Sequence, residues 1–111
     1  MAYLRKEKET MEIAHSLDKV WTAIPKVFAN LEWETEQIDD VSHHIRAKTK
    51  AGPISWSSLL LIDAVPLQEN ITRISVAAET PVTTISAIVD FGQTRRRIYQ
   101  FFAELAKQLT S

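Results

Sequence analysis

The chain has 111 residues, 45% of them hydrophobic, and its 13 Lys and Arg side chains nearly balance its 14 Asp and Glu side chains. This length and composition suit one ordinary hydrophobic core, so we expect residues 1–111 to form a single domain. Because Cys is absent, disulfides, thiol catalysis and thiolate metal ligands are excluded, and the near-neutral charge does not indicate a nucleic-acid or membrane partner.

The first predicted elements are a short strand and a long amphipathic helix. Residues 10–14 alternate apolar and polar side chains, which is typical of a strand. Ser16 is a suitable N-cap for the helix, and Asp18 in the first turn favours the positive end of the helix dipole. Because Pro25 lies inside the apolar stripe, we expect either a kink or two short helices at that point. The stripe has helical spacing and consists of Leu17, Val20, Trp21, Ile24, Val27, Phe28 and Leu31.

Several strands are predicted to follow this helix, separated by turns rich in Asp, Gly, Pro and Asn. The last of them is β-branched and extended in character, and its pairing is left open. The predicted strands comprise residues 32–36, 43–50, 54–65, 71–78 and 81–89, with turns at residues 39–40, 51–53 and 66–70.

One face of the predicted strand 43–50 is basic. Such a stripe could bind phosphate, nucleic acid or anionic lipid. The alternative, which we favour, is a ladder of opposite charges across two strands, because a three-residue loop at residues 39–41 places a Glu opposite each of three cations. The stripe consists of His44, Arg46, Lys48 and Lys50; the predicted pairs are Glu36 with His44, Glu34 with Arg46 and Glu32 with Lys48, with Trp33 facing Ala47 and Thr35 facing Ile45 on the buried side.

The last predicted element is a helix that begins with a capping-box pattern at Asp90 and Gln93. The element order is therefore β-α-β-β-β-β-(β)-α. Because both helical stripes must be buried against the sheet, we predict a two-layer α+β fold, with an antiparallel sheet of four to six strands and both helices on one face. The stripe of the last helix consists of Phe91, Ile98, Phe101, Phe102, Leu105 and Leu109.

Aromatic side chains form one group of candidate ligand-binding residues. They could line a small-molecule pocket between the sheet and the helices. The alternative is that they are plain core, since aromatic residues at helical and strand spacing are more often buried for packing alone. The candidates are Trp21, Phe28, Trp56, Phe101 and Phe102.

A run of three arginines, Arg95, Arg96 and Arg97, forms a candidate anion-binding group near the start of the last helix. Consecutive positions lie about 100° apart around a helix, so the three side chains cannot all face one planar ligand. The alternative interpretation is that one of them pairs with Asp90 or another acid while the others face solvent.

Known catalytic and metal-binding patterns are missing. His43 and His44 are adjacent on a predicted strand and therefore point to opposite faces, so they cannot bind one ion together. Ser55, Ser57 and Ser58 lack the G-x-S-x-G pattern of an activated nucleophile. We therefore predict no catalytic residues, no metal site and no cofactor, and we expect that the protein is not an enzyme.

Two short segments resemble known families. The segment Ser16-Leu-Asp-Lys-Val-Trp-Thr-Ala, followed by strands and a long C-terminal helix, resembles the helix-grip superfamily of START and Bet v 1-like lipid-binding domains. The same Val-Trp-x-Ala helix, together with Ile45-Arg46-Ala47-Lys48, resembles a set of small uncharacterised bacterial domains. The resemblance implies a curved antiparallel sheet covered by a long C-terminal helix, in a bacterial protein. It supplies no catalytic residues, and this chain is shorter than the superfamily members that enclose a roomy cavity.

These observations favour a small non-catalytic binding or interaction module, in which residues 81–89 could add a strand to the sheet of a partner or of a second copy. One alternative is a carrier of a small hydrophobic ligand or lipid, and another is anion or nucleic-acid binding through the basic residues. The charged N-terminus does not resemble a signal peptide, and the longest apolar run, residues 59–62, is far too short to cross a membrane. We therefore expect a cytoplasmic location.

Overall fold

The computed structural model describes residues 3–50, 57–82 and 93–110. The strands form one five-stranded antiparallel sheet in the order β1-β5-β4-β3-β2. This confirms the predicted α+β fold and the predicted order of its elements. The elements are β1 (Tyr3–Ile13), α1 (Leu17–Leu31), β2 (Glu34–Asp39), β3 (His44–Lys48), β4 (Leu59–Gln68), β5 (Ile71–Val82) and α2 (Gln93–Thr110).

Helix α1 begins and ends at residues with recognisable capping geometry. The Ser16 side chain accepts a hydrogen bond from the Lys19 N–H group (3.3 Å), as predicted for an N-cap. Glu32 adopts a left-handed conformation (φ 60°) that ends the helix. Pro25 lies on the exposed side of one continuous helix, so the alternative of two short helices is wrong. The buried stripe continues on both sides of Pro25, and its packing holds the helix together despite the lost backbone hydrogen bond.

Strand β1 is much longer than predicted. It extends over 11 residues and pairs with β5 from Tyr3 opposite Val82 to Ile13 opposite Thr72. The segment before residue 10 is rich in Lys and Glu and therefore shows no alternation of apolar and polar side chains. It forms a strand nevertheless, because the backbone hydrogen bonds between strands do not depend on such alternation. Pro81 and Val82 belong to the end of β5, and the rest of the predicted segment 81–89 lies outside the described residues.

The turn between β2 and β3 is longer than predicted. It contains the four residues 40–43, because Asp39 remains in β2 and pairs with His44. The Asp39 carboxylate accepts hydrogen bonds from the N–H groups of Val41 (2.9 Å) and Ser42 (3.2 Å). These two hydrogen bonds hold the pKa of Asp39 below its ordinary value, and the bond from Ser42 has the larger effect.

The predicted register of β2 against β3 is wrong for the same reason, and a β-bulge reverses only part of the shift. The bulge lies between Thr35 and Gln37, and beyond it Glu34 faces Lys48 rather than Arg46. All six residues of β2 are exposed, so no buried face specifies the pairing.

Strand β4 continues through Pro66, where a turn was predicted, and reverses only at residues 69–70. The Ala64 N–H donates to the His43 carbonyl on the β3 side (3.0 Å). The nitrogen of Pro66, two residues later, faces that same side, but the β3 pairing has already ended at Asp63. Proline therefore removes no ladder bond at this position. The predicted turn at residues 51–53 lies outside the described residues.

Both helices pack on one face of the sheet and share one hydrophobic core, as predicted. The inward positions of β3, β4 and β5 alternate with outward ones, and the apolar stripes of α1 and α2 cover them. In the described part of the chain, no helix is long and apolar enough to cross a membrane. The core consists of Val20, Ala23, Ile24, Val27, Phe28, Ile45, Ala47, Leu60, Ile62, Ala64, Ile74, Val76, Ala78, Ile98, Phe101, Phe102, Leu105 and Leu109.

Candidate functional site

A cluster of buried polar side chains lies where the first turns of α2 meet one end of the sheet. Its members come from the end of β3, the approach to β4, the end of β5 and the start of α2, and none is more than 6% exposed. Buried polar groups are costly unless they are hydrogen-bonded, so such a cluster is a feature that needs an explanation. The buried polar cluster consists of Thr49, Ser58, Thr80, Thr94 and Arg97.

The members of the buried polar cluster are joined by short hydrogen bonds. Arg97 Nη1 donates to Ser58 Oγ (2.6 Å), and Ser58 Oγ lies 2.5 Å from Thr80 Oγ1. Thr80 Oγ1 in turn lies 2.8 Å from Thr94 Oγ1. On the other side, the Ser58 N–H donates to Thr49 Oγ1 (2.8 Å), while the Thr49 N–H donates to the Ser58 carbonyl (2.9 Å). The cluster therefore ties the helix to three strands.

The chemistry of the buried polar cluster is that of a fixed positive charge at one end of a chain of hydroxyl groups. The guanidinium of Arg97 is always protonated and donates only. Ser58 Oγ thus faces a cation rather than a base, which does not activate it as a nucleophile. Such an arrangement orients hydroxyl dipoles and favours a negatively charged or carbonyl group nearby.

Sequence reasoning missed most of the buried polar cluster, although a signal was present. Ser58, Thr80 and Thr49 each extend the inward-facing row of their strand by one position, next to Leu60, Ala78 and Ala47 respectively. A hydroxyl residue at the inward end of an apolar row is therefore the pattern that predicts such a cluster.

A second feature is an apolar groove between β1, the β1–α1 connection and the C-terminal half of α2. Its volume is about 260 Å³. Met11 pairs with buried Ile74 and thus lies on the inward face of the sheet, yet 47% of it is exposed. Space therefore remains beside it that the side chains of the described residues do not fill. The β1–α2 groove is lined by Met11, Glu12, Ile13, Ala14, His15, Phe102, Ala106, Leu109 and Thr110.

The four candidate aromatic residues that the structure describes lie in different surroundings. Phe28 and Phe101 pack together in the core with ring centroids 5.9 Å apart. Phe102 borders the β1–α2 groove. Trp21 lies at the edge of the core, where its Nε1–H donates to Asp40 in the β2–β3 turn (2.8 Å). Trp56 lies outside the described residues.

The three arginines point in different directions, as their spacing requires. Arg95 pairs with Glu7 of β1 (3.1 Å), Arg96 is exposed, and Arg97 is buried in the polar cluster. The structure therefore does not bring them together around one anion.

Three side chains of the basic strand face contact acids, but none of these pairs is a predicted one. Among the described residues, Arg46 forms an ion pair with Glu36 (3.4 Å) and Lys50 with Glu32 (3.0 Å), while His44 Nδ1 lies within hydrogen-bond distance of the Asp63 carboxylate (2.8 Å). The described part of the chain contains no group of three His, Asp or Glu residues that could hold a metal ion.

No protein-family model matches the chain, and no curated protein matches its sequence. Solved structures do match its fold. Norcoclaurine synthase from Thalictrum flavum, in complex with a transition-state analogue, matches with a TM-score of 0.76 at 12% identity, covering 99% of this chain and 96% of that one. The same enzyme in complex with dopamine and hydroxybenzaldehyde matches with a TM-score of 0.75 at 11% identity, covering 98% and 88%.

Two further proteins show the same similarity. The Zhui aromatase/cyclase from Streptomyces sp. R1128 matches with a TM-score of 0.69 at 13% identity, covering 96% of this chain and 94% of that one. Ara h 8.0201 matches with a TM-score of 0.72 at 8% identity, covering 98% and 100%. These are Bet v 1-like structures, so the resemblance seen in the sequence is confirmed at the level of fold. The chain has a helix-grip fold.

The sequence led us to expect that the protein is not an enzyme, and that expectation is wrong, because proteins with catalytic activity have the same fold. A synthase and an aromatase/cyclase have the same fold at sequence identities of 12% and 13%. One fold hosts both catalytic and non-catalytic proteins, so the lack of a known motif could not exclude catalysis.

Proposed function

We propose that residues 1–111 form a single binding domain for a small, largely apolar molecule, which lies in the β1–α2 groove. The observation that carries this proposal is the exposure of Met11 on the inward face of the sheet, beside a groove that is mainly apolar. A cleft with an apolar lining and a few polar groups is the usual form of a small-molecule site.

The volume of the groove limits the size of the ligand. At about 260 Å³ it lies just below the ~300–1,000 Å³ typical of ligand sites, so a single-ring aromatic molecule suits it better than a long-chain lipid. The complex of norcoclaurine synthase with dopamine and hydroxybenzaldehyde supports this class of ligand, because both molecules contain one aromatic ring.

The rim of the groove offers a polar group. His15 follows β1 and lies half-buried at the groove, and among the described contacts its ring has no hydrogen-bond partner. An imidazole can donate or accept a hydrogen bond, so it suits a phenol or carbonyl group on the ligand. Phe102 and Met11 would contact the apolar part, through ring packing and sulfur–aromatic contact.

The test is a titration of isotope-labelled protein with para-hydroxybenzaldehyde, followed through the backbone amide resonances. We expect shifts concentrated at residues 11–15 and 102–110. Ala106→Trp fills the groove and should abolish them. Ala103→Trp is the matched control, because Ala103 is another exposed alanine of α2 and does not line the groove. Shifts elsewhere, or shifts that survive in Ala106→Trp, would contradict the proposal.

A further inference from the structure

The two edges of the sheet differ in a way that bears on self-association. β2 forms one edge; it has 6 residues and a β-bulge, which disturbs pairing with any further strand. β1 forms the other edge; it has 11 residues, and its pairing with β5 shows no register shift. Among the described strands β1 has a neighbour on one side only. It therefore presents a long, regular row of backbone N–H and C=O groups.

The side chains of β1 on the outward face of the sheet carry both signs of charge. Lys6, Lys8, Thr10 and Glu12 alternate along the strand on the face away from the helices, and all four are exposed. Charges on an edge strand oppose indiscriminate pairing. They permit pairing only in a register that brings opposite charges together.

Symmetry restricts the registers available to two identical strands. In an antiparallel pair related by a two-fold axis, residues that face each other across the two strands point to the same side of the sheet. The axis must therefore pass midway between the two copies of one residue, which then faces its own copy. An axis at Glu7, Lys8 or Glu9 places that charged residue against itself. An axis at Met11 brings no opposite charges together.

An axis at Thr10 has a different outcome. It places Lys8 of each copy opposite Glu12 of the other, twice by symmetry, and Thr10 opposite Thr10, which is a favourable cross-strand pair. No like charges face each other between residues 7 and 13. On the inward face, exposed Met11 then faces the aliphatic part of Glu9.

We propose that β1 is a homodimerisation edge, in which two copies of this chain pair antiparallel about Thr10 and form one continuous sheet. This goes beyond the proposed ligand binding, because it rests on the edge of β1 and on the charges of Lys8 and Glu12, although Met11 and Glu12 also line the β1–α2 groove. It also differs from self-association through residues 81–89, because the pairing strand is β1.

The test measures mass in solution by light scattering over a wide concentration range. The wild-type protein should move from monomer to dimer as concentration rises. Lys8→Glu and Glu12→Lys should each raise the dissociation constant about tenfold, because each replaces two attractions with two repulsions. The double variant Lys8→Glu/Glu12→Lys should restore wild-type dimerisation. Lys6→Glu is the control and should change little, because Lys6 faces Ala14 beyond the end of the strand.

A second measurement reports the register directly. The chain contains no Cys, so Thr10→Cys introduces one thiol per copy. Facing residues of paired strands are close enough for a disulfide, so mild oxidation should yield a covalent dimer. Lys6→Cys should not, since the two Lys6 positions lie far apart in this register. A wild-type protein that stays monomeric at its highest concentration, or a double charge variant that stays monomeric, would overturn the proposal.

Discussion

The guanidinium of Arg97 donates a 2.6 Å hydrogen bond from Nη1 to the hydroxyl of Ser58, and both side chains are almost completely buried. Ser58 immediately precedes β4, and Arg97 lies in the second turn of α2, so this bond connects helix and sheet. A hydrogen bond to a charged group contributes about 1.5–3 kcal/mol, roughly twice the value for a neutral pair. The contact therefore positions the N-terminal part of α2 over the sheet.

Replacement of Ser58 by Ala tests this role. The variant removes the buried acceptor of the Arg97 Nη1 hydrogen bond and one of the two hydroxyl partners of Thr80, so we expect the free energy of unfolding to fall by about 2–3 kcal/mol. Urea unfolding followed by circular dichroism measures the loss. Ser57→Ala, at the preceding and less buried position, should change stability by no more than about 0.5 kcal/mol. A loss below about 1 kcal/mol in Ser58→Ala would show that water replaces the hydroxyl.

The contact between α1 and the β2–β3 turn can be measured with a double-mutant cycle. Trp21→Phe removes the Nε1–H donor, and Asp40→Ala removes its acceptor. Because each change breaks the same hydrogen bond, we expect the two losses to overlap by about 0.5–1.5 kcal/mol in urea unfolding. Strict additivity of the two changes would mean that the bond contributes nothing in solution.

Acid should weaken the contact between the two helices at Glu104. Hydrogen bonds from the side chains of Gln108 (3.0 Å) and Asn30 (3.2 Å) hold the pKa of Glu104 below its ordinary value. A carboxylate whose pKa is lower in the folded state stabilises the fold above its unfolded-state pKa, and this stabilisation is lost as pH falls through the folded-state value.

We therefore expect Glu104→Gln to be less stable than wild type at neutral pH, with the difference shrinking below about pH 4. Thermal unfolding across a pH series measures the difference. Asn30→Ala, which removes one of the two donors, should reduce the pH dependence without abolishing it. A difference that does not vary with pH would contradict the assignment.

Pro25 should lower the stability of α1. It lies inside a continuous 15-residue helix with its ring exposed, so Pro25→Ala restores a backbone donor to the Trp21 carbonyl without disturbing the core. Proline costs up to about 3 kcal/mol relative to alanine within a helix, partly offset by its effect on the unfolded chain. We expect a gain of about 1–3 kcal/mol in urea unfolding. Ala29→Gly, at another exposed position of the same helix, should instead lose about 1 kcal/mol.

Elements with one buried face were predictable. The apolar stripes of both helices were recognised from their helical spacing, and the inward faces of β3 and β5 from the alternation that ends in Ala47 and Ala78. Both patterns follow directly from burial on one side. β2 was located, but its register was wrong, since an exposed strand gives no such pattern. The first half of β1 was missed for the same reason.

The candidate sites were less predictable than the fold. Arg97 was singled out as part of a basic run, but its role depends on Ser58 and Thr80, which lie 39 and 17 residues earlier in the chain. The groove beside Met11 was not foreseen, because an apolar residue on a strand looks the same in sequence whether its neighbours fill the space around it or leave it open.

Residue order alone was sufficient to establish the secondary-structure types, the two-layer arrangement and the inward faces, because these follow from local periodicity and from the need to bury apolar surface. The pairing partners of the charged strands, the chain of four hydroxyl groups that ends at Arg97 and the groove between β1 and α2 depend on side chains distant along the chain. Strand pairing brings the charged side chains together, and the packing of α2 across the sheet brings Thr94 and Arg97 to the hydroxyl groups of the strands and closes the groove.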